Sequence, residues 1–179
     1  MNIDIVFSSI LVEDKLFPEN FDINDLENYI HFRNPIDLPS SLIKRGCFKK
    51  VGFFDPKFPR LQDWEFFFRA VKKCKFFFIN EPLVKVNHYS DGISANNRFL
   101  LDGLLLFIQK YNKDLQKKAI SSLYRRAGIV SYLNFSKLDA YKFFFNSIKT
   151  YPLDIKTYIA ILLGLFGKNL FKRIIIKKQ

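Results

Sequence analysis

Acidic residues are the scarce charge in this chain. Seventeen Asp and Glu stand against 29 Lys and Arg, a formal net charge of +12. An imbalance of that size calls for an acidic partner, either nucleic acid or membrane phospholipid. No helix-turn-helix, zinc-finger or RNA-recognition signature accompanies the charge, which argues against nucleic acid. The basic residues thicken instead at the C-terminus, as Lys168, Lys172, Arg173, Lys177 and Lys178 interleaved with Leu170, Phe171, Ile174, Ile175 and Ile176. Basic and apolar residues mixed at a helix end fit an anionic membrane surface. Cysteine is nearly absent: Cys47 and Cys74 match no metal or redox spacing and read as buried or free thiols of a reducing compartment. There are only two histidines, His31 and His88, and no motif surrounds His31. No apolar run approaches the roughly 18 residues of a spanning helix. Asp102 and Gly103 interrupt residues 99–111, and residues 158–167 are too few. Met1 is followed by polar Asn2 and Asp4, so the expectation is a chain without a signal peptide, cytoplasmic and peripheral to the inner face of the membrane.

What is present describes a folded chain. Its 179 residues are 49% hydrophobic and include 22 Phe, enough for the core of one domain or one and a half. Residues 3–7 alternate polar and apolar and read as a strand. Residues 13–28 read as a loop, with a short helix near 25–30. Pro35 and Pro39 exclude helix ahead of a short strand at 41–44. One helical turn at 48–51 is ended by Gly52. A helix over 63–73 carries Trp64, Phe67, Phe68 and Val71 at spacings of three and four, a stripe for the core. Two strands follow, at 75–79 and 82–86, joined by a turn at Asn80-Glu81. From residue 96 the chain is helical. The expected architecture is therefore an α/β part over residues 1–95 and an all-helical part over 96–179. Within the latter, Tyr124, Gly128, Ala140, Phe144, Ser147 and Pro152 fall at the positions of one tetratricopeptide-like helix pair.

Chemistry concentrates in residues 52–69: Gly52-Phe-Phe-Asp55, a short loop, then Gln62-Asp63-Trp64 opening a helix that carries Arg69. By residue type alone, Asp63 is a helix-capping carboxylate at the positive end of the helix dipole. The ordered set of neighbours resembles the acceptor-side motif of family 2 glycosyltransferases, Gly-x-Phe-Asp followed by Glu-Asp-Trp and a helix with Leu-x-x-Arg. Gln62 stands where that family has Glu, which keeps the hydrogen bonding and loses a charge. The resemblance covers residues 34–94 in good order and the rest more loosely. It implies the second half of a Rossmann-like GT-A domain, with Asp63 as the general base that takes the proton from an acceptor hydroxyl attacking a nucleotide sugar. It also implies substrate-binding roles for Gln62, Trp64 and Arg69, and for Asn34, Asp37 and Ser41 along the acceptor side. Packing accounts equally for Trp64, and ordinary turn chemistry for the last three. His88, in a loop after the second strand pair, matches a family histidine that reaches the metal or the diphosphate; a surface histidine is the plain alternative.

The family's first half binds the nucleotide and ends in Asp-x-Asp, which holds a divalent metal on the diphosphate. This sequence has no Asp-x-Asp: Asp22-Ile-Asn-Asp25 has the wrong spacing and Asp4 stands alone. Magnesium or manganese is therefore expected only with a donor half, supplied by a separate chain. The resulting expectation is a fragment or split subunit of a glycosyltransferase acting on a glycan or lipid-linked acceptor in cell-surface polysaccharide synthesis. The alternative is a non-catalytic membrane-surface or protein-interaction module.

Overall fold

The computed structural model describes residues 2–19, 21–87 and 95–176. Among them are a four-stranded sheet and eight α-helices, a mixed α+β architecture. The chain divides into two compact units, Met1–Ala95 and Asn96–Gln179.

In the first unit, β1 (Ile5–Val12) is the organising strand. Every other strand pairs with it. β2 (Lys15–Phe17) and β3 (Ser41–Ile43) lie antiparallel to it, and β4 (Phe76–Val86) runs parallel along its whole length. Such a central strand is covered on both faces, which explains why Ile5, Phe7, Ser8, Ser9 and Ile10 are all buried. The hairpin between β1 and β2 turns on Glu13 and Asp14, both at positive φ (49° and 61°), the backbone of a two-residue type I′ connection. Sequence reading places a loop here, because Asp and Asn are dense over residues 13–28. A second difference lies in β4. The expected turn at Asn80-Glu81 is a bulge instead: Ser8 faces Ile79 and Ser9 faces Pro82, so two residues loop out while the strand keeps its direction. Pro82, which has no N–H to give the ladder, sits at that irregularity.

Short helical pieces carry the rest of the unit: a 3-10 turn at Ile23–Asp25 leading into α1 (Leu26–Tyr29), then α2 (Arg45–Val51) and α3 (Gln62–Ala70). Asp4, at the start of the sheet, accepts from Lys50 Nζ at 2.8 Å and from the Lys75 backbone at 2.9 Å. These donors hold its carboxyl below the usual carboxylate value, the Lys50 side chain first. Cys47 in α2 and Cys74 just beyond α3 form a disulfide, with Cα atoms 6.4 Å apart. That corrects their reading as separate thiols, since sequence spacing could not show that α2 and the end of α3 lie side by side.

The second unit is helical: α4 (Asn97–Tyr111), α5 (Lys117–Asn134), α6 (Lys137–Thr150), α7 (Ile155–Leu165) and α8 (Lys168–Ile176). Local chemistry sets two of the starts. Asn96 accepts from the Arg98 and Phe99 backbone, and Ser136 from that of Asp139. Tyr132, Ala140, Phe144, Ala160 and Phe171 form a core drawn from α5, α6, α7 and α8. α5 and α6 pack where Gly128 leaves room for the fully buried Phe144 ring. Among the described residues no helix is long and apolar enough to cross a membrane.

That contact yields a prediction. Alanine in a helix interior is better than glycine by about 1 kcal/mol. A Cβ on Gly128 would nonetheless overlap the Phe144 ring, and overpacking costs about 1–3 kcal/mol. Gly128→Ala is expected to lower stability in urea unfolding, and adding Phe144→Leu to recover part of the loss.

Candidate functional site

Helix α3 is fixed from both sides. Trp64, 1% exposed, donates from Nε1 to the Ile30 carbonyl at 2.7 Å. Glu65 is fully buried and meets Arg69 through two bonds, Nε to Oε1 at 2.7 Å and Nη2 to Oε2 at 2.8 Å. Arg69 also donates to the carbonyls of Val51 and Phe53. Gly52, between those two carbonyls, ends α2 at φ 88°, a left-handed conformation that glycine adopts without strain. In the loop that follows, the Asp55 side chain accepts from the Lys57 backbone at 3.0 Å, an Asx turn. The sequence motif is thus a mechanical unit, in which the glycine, the loop and the arginine bind one another and set where the helix begins.

It begins at Leu61, which occupies the N-cap position in the left-handed region at φ 71°, uncommon for a leucine. Asp63 is therefore the second residue of the first turn, where its carboxylate still meets the positive end of the helix. Asn34 donates to Asp63 Oδ2 at 3.1 Å and to the Ile36 carbonyl at 2.6 Å, and accepts from the Ile36 N–H at 3.2 Å. Asn34 is thus oriented by its own segment before it reaches the carboxylate. Asp63 and Asn34 open with Asp37 onto a cleft of about 170 Å³ whose other walls are Ile10, Val12, Phe17, Ile36 and Val86.

Electrostatics at Asp63 are a contest. Burial raises its pKa; the backbone N–H of Trp64, the Asn34 amide, its own N–H and the Arg60 charge all pull the other way, and burial wins. Burial likewise weakens the preference of half-buried Arg60 for its charge, which the neighbouring Asp63 supports.

The named candidates fall into two groups. Asp63, Asn34 and Asp37 come together at the cleft. Gln62 is half-buried on the same first turn, outside the cleft lining. Ser41 turns its hydroxyl to the Leu38 carbonyl at 2.8 Å. Trp64 and Arg69 are committed to the core and the loop as described. His88 lies outside the described residues. Sequence reading missed Arg60 and the apolar walls given by the β1–β2 hairpin. A basic residue three positions ahead of Asp63 was the available signal for the first; the hairpin gave none.

No group of three or more His, Cys, Asp or Glu able to hold a metal occurs among the described residues. Of the polar groups at the cleft, the Asn34 amide is already engaged, its NH2 turned to Asp63 and its oxygen to the Ile36 N–H. Comparison of the chain with protein-family models, with curated proteins and with solved structures finds no match.

Two outcomes are expected. Breaking a buried ion pair by removing one partner costs about 3–5 kcal/mol. Arg69→Met should cost that much by chemical denaturation, and Glu65→Gln in the same chain should restore part of it. The second concerns pH. The raised pKa of Asp63 means that the fold favours its neutral form, so its stabilising contribution is full below the ordinary Asp value of 3.8 and is lost as pH rises through the raised value. The melting temperature of Asp63→Asn minus that of wild type should accordingly climb with pH through that window and level off above it.

Proposed function

We propose that the Asp63 cleft is the acceptor side of a glycosyl-transfer site. The carrying observation is a carboxylate whose pKa burial raises, held in place by an oriented amide, with Arg60 beside it and an open cleft in front. A general base works best with a pKa shifted toward the working pH and a fixed position. In this reading Asp63 accepts the proton of an acceptor hydroxyl as that oxygen bonds to the anomeric carbon of a nucleotide sugar and the bond to the diphosphate breaks. Asn34 holds the carboxylate in orientation, and Asp37 offers a second acceptor for a neighbouring sugar hydroxyl. Ile10, Val12, Phe17, Ile36 and Val86 give the cleft apolar walls for the face of a sugar ring.

The order of Gly52, Asp55, Asp63, Trp64 and Arg69, similar to the family 2 glycosyltransferase motif, supports the assignment to the second half of a GT-A domain. Because the sequence contains no Asp-x-Asp, the reaction requires a nucleotide-binding half carrying its own divalent metal. Trp64 and Arg69 serve the substrate indirectly, by fixing α3.

The test is sugar transfer measured with the chain captured from its native cells together with whatever it binds. Asp63→Asn should fold and lower transfer by about 10²- to 10⁴-fold, whereas Gln62→Ala should change it little. Unchanged transfer per folded Asp63→Asn molecule would reduce Asp63 to a structural carboxylate at a helix start.

A further inference from the structure

Helix α7 is amphipathic in the reverse sense. Its fully buried residues are small or polar, Thr157, Ala160 and Gly164, with Ile161 and Leu163 partly buried against the core. Gly164 lets the backbone come close enough for its carbonyl to accept from the Tyr132 hydroxyl at 2.7 Å. Thr157 joins Ser121 and Ser147 in a hydroxyl network around Asp154, which Arg125 also binds. The outward face is large and apolar. Ile155, Tyr158, Ile159, Leu162, Leu165 and Phe166 recur at spacings of three and four, one continuous stripe, and Leu165 and Phe166 are 71% and 68% exposed.

Charge says what covers that stripe. Residues 155–179 contain no Asp or Glu and six basic residues, of which Lys156, Lys168, Lys172 and Arg173 are exposed in α7 and α8. α8 meanwhile turns its own apolar side inward, with Phe171 fully buried and Ile175 packed on the core. The apolar contact expected of the tail thus passes to α7, and α8 supplies cations. A second copy of this chain would bring like charges together across a symmetric contact, which opposes self-association. We infer that the α7 stripe docks the protein on an anionic phospholipid bilayer, the helix lying in the interface plane with the basic residues against the headgroups. The stripe shares no residue with the Asp63 cleft, so either assignment can fail alone.

Co-sedimentation of the full chain with vesicles tests this. Binding is expected to vesicles of equal parts phosphatidylcholine and phosphatidylglycerol, to fall as salt screens the charges, and to be weak on phosphatidylcholine alone. Leu162→Glu with Leu165→Glu should weaken it on the order of 100-fold, two exposed side chains of leucine size, without changing circular dichroism. Phe166→Ser is a milder second variant, expected to weaken binding less. Lys168→Glu with Lys172→Glu should abolish the preference for anionic vesicles. The inference is overturned if the wild type binds no vesicles, or if the folded stripe variants bind undiminished. Self-association without lipid that the same substitutions remove, with no vesicle binding, would overturn it as well.

Discussion

A buried carboxylate holds the first unit in register. Taking Glu65 out of water costs several kcal/mol unless its charge is met, and Arg69 meets it from one turn further along α3 with two parallel bonds. The arginine has donors left over, and these hold the carbonyls of Val51 and Phe53. One ion pair therefore ties the end of α2 and the start of the following loop to α3. Trp64, the neighbour of Glu65, ties the same helix to Ile30, four residues ahead of Asn34. Asp63 and Asn34 come from segments 29 residues apart, and these two anchors let them meet at hydrogen-bond distance.

The price of this arrangement is paid at Asp63 itself. A carboxylate drawn into an apolar cleft is worse solvated than one on the surface, and its hydrogen bonds only partly offset that. Strain sits close by, in the left-handed Leu61 that starts the helix. A side chain serving only as a helix cap needs neither the desolvation nor the cleft. Asp63 stands at the second helical position, two residues after the N-cap Leu61, and lines the cleft.

In the second unit the corresponding polar anchor is Asp154, gathered by Arg125, Ser121 and Thr157 where α6 gives way to α7. This anchor binds the small, polar side of α7, where Ile161 and Leu163 add partly buried apolar contact with the core, and the other large apolar residues of the helix are displayed outside. Tertiary fixation by hydroxyls and close backbone contact thus frees a whole helix face for another surface.

Sequence alone determined the periodic and the chemically ordered features. Of the expected α3 stripe, Trp64, Phe67 and Phe68 are buried and Val71 is partly buried, though Glu65 and Phe66 beside them are buried as well; Gly52 ends α2, and the chain becomes helical from residue 97. These follow from local rules: side-chain period, the conformational freedom of glycine, and capping. The order of Asp63 among its neighbours was likewise legible, and so was Asn34 as a candidate. Only the tertiary structure decided what long-range contacts decide. The β1–β2 hairpin, the continuation of β4 through its bulge and the Cys47–Cys74 pair have no local signature, because they depend on partners far along the chain or on an unlikely turn sequence. The same holds for Arg69, which by sequence could face a substrate and in the fold neutralises Glu65. It holds for α7 too, whose apolar residues were plain in the sequence, while the direction they face depended on which side carried Thr157, Ala160 and Gly164 into the core.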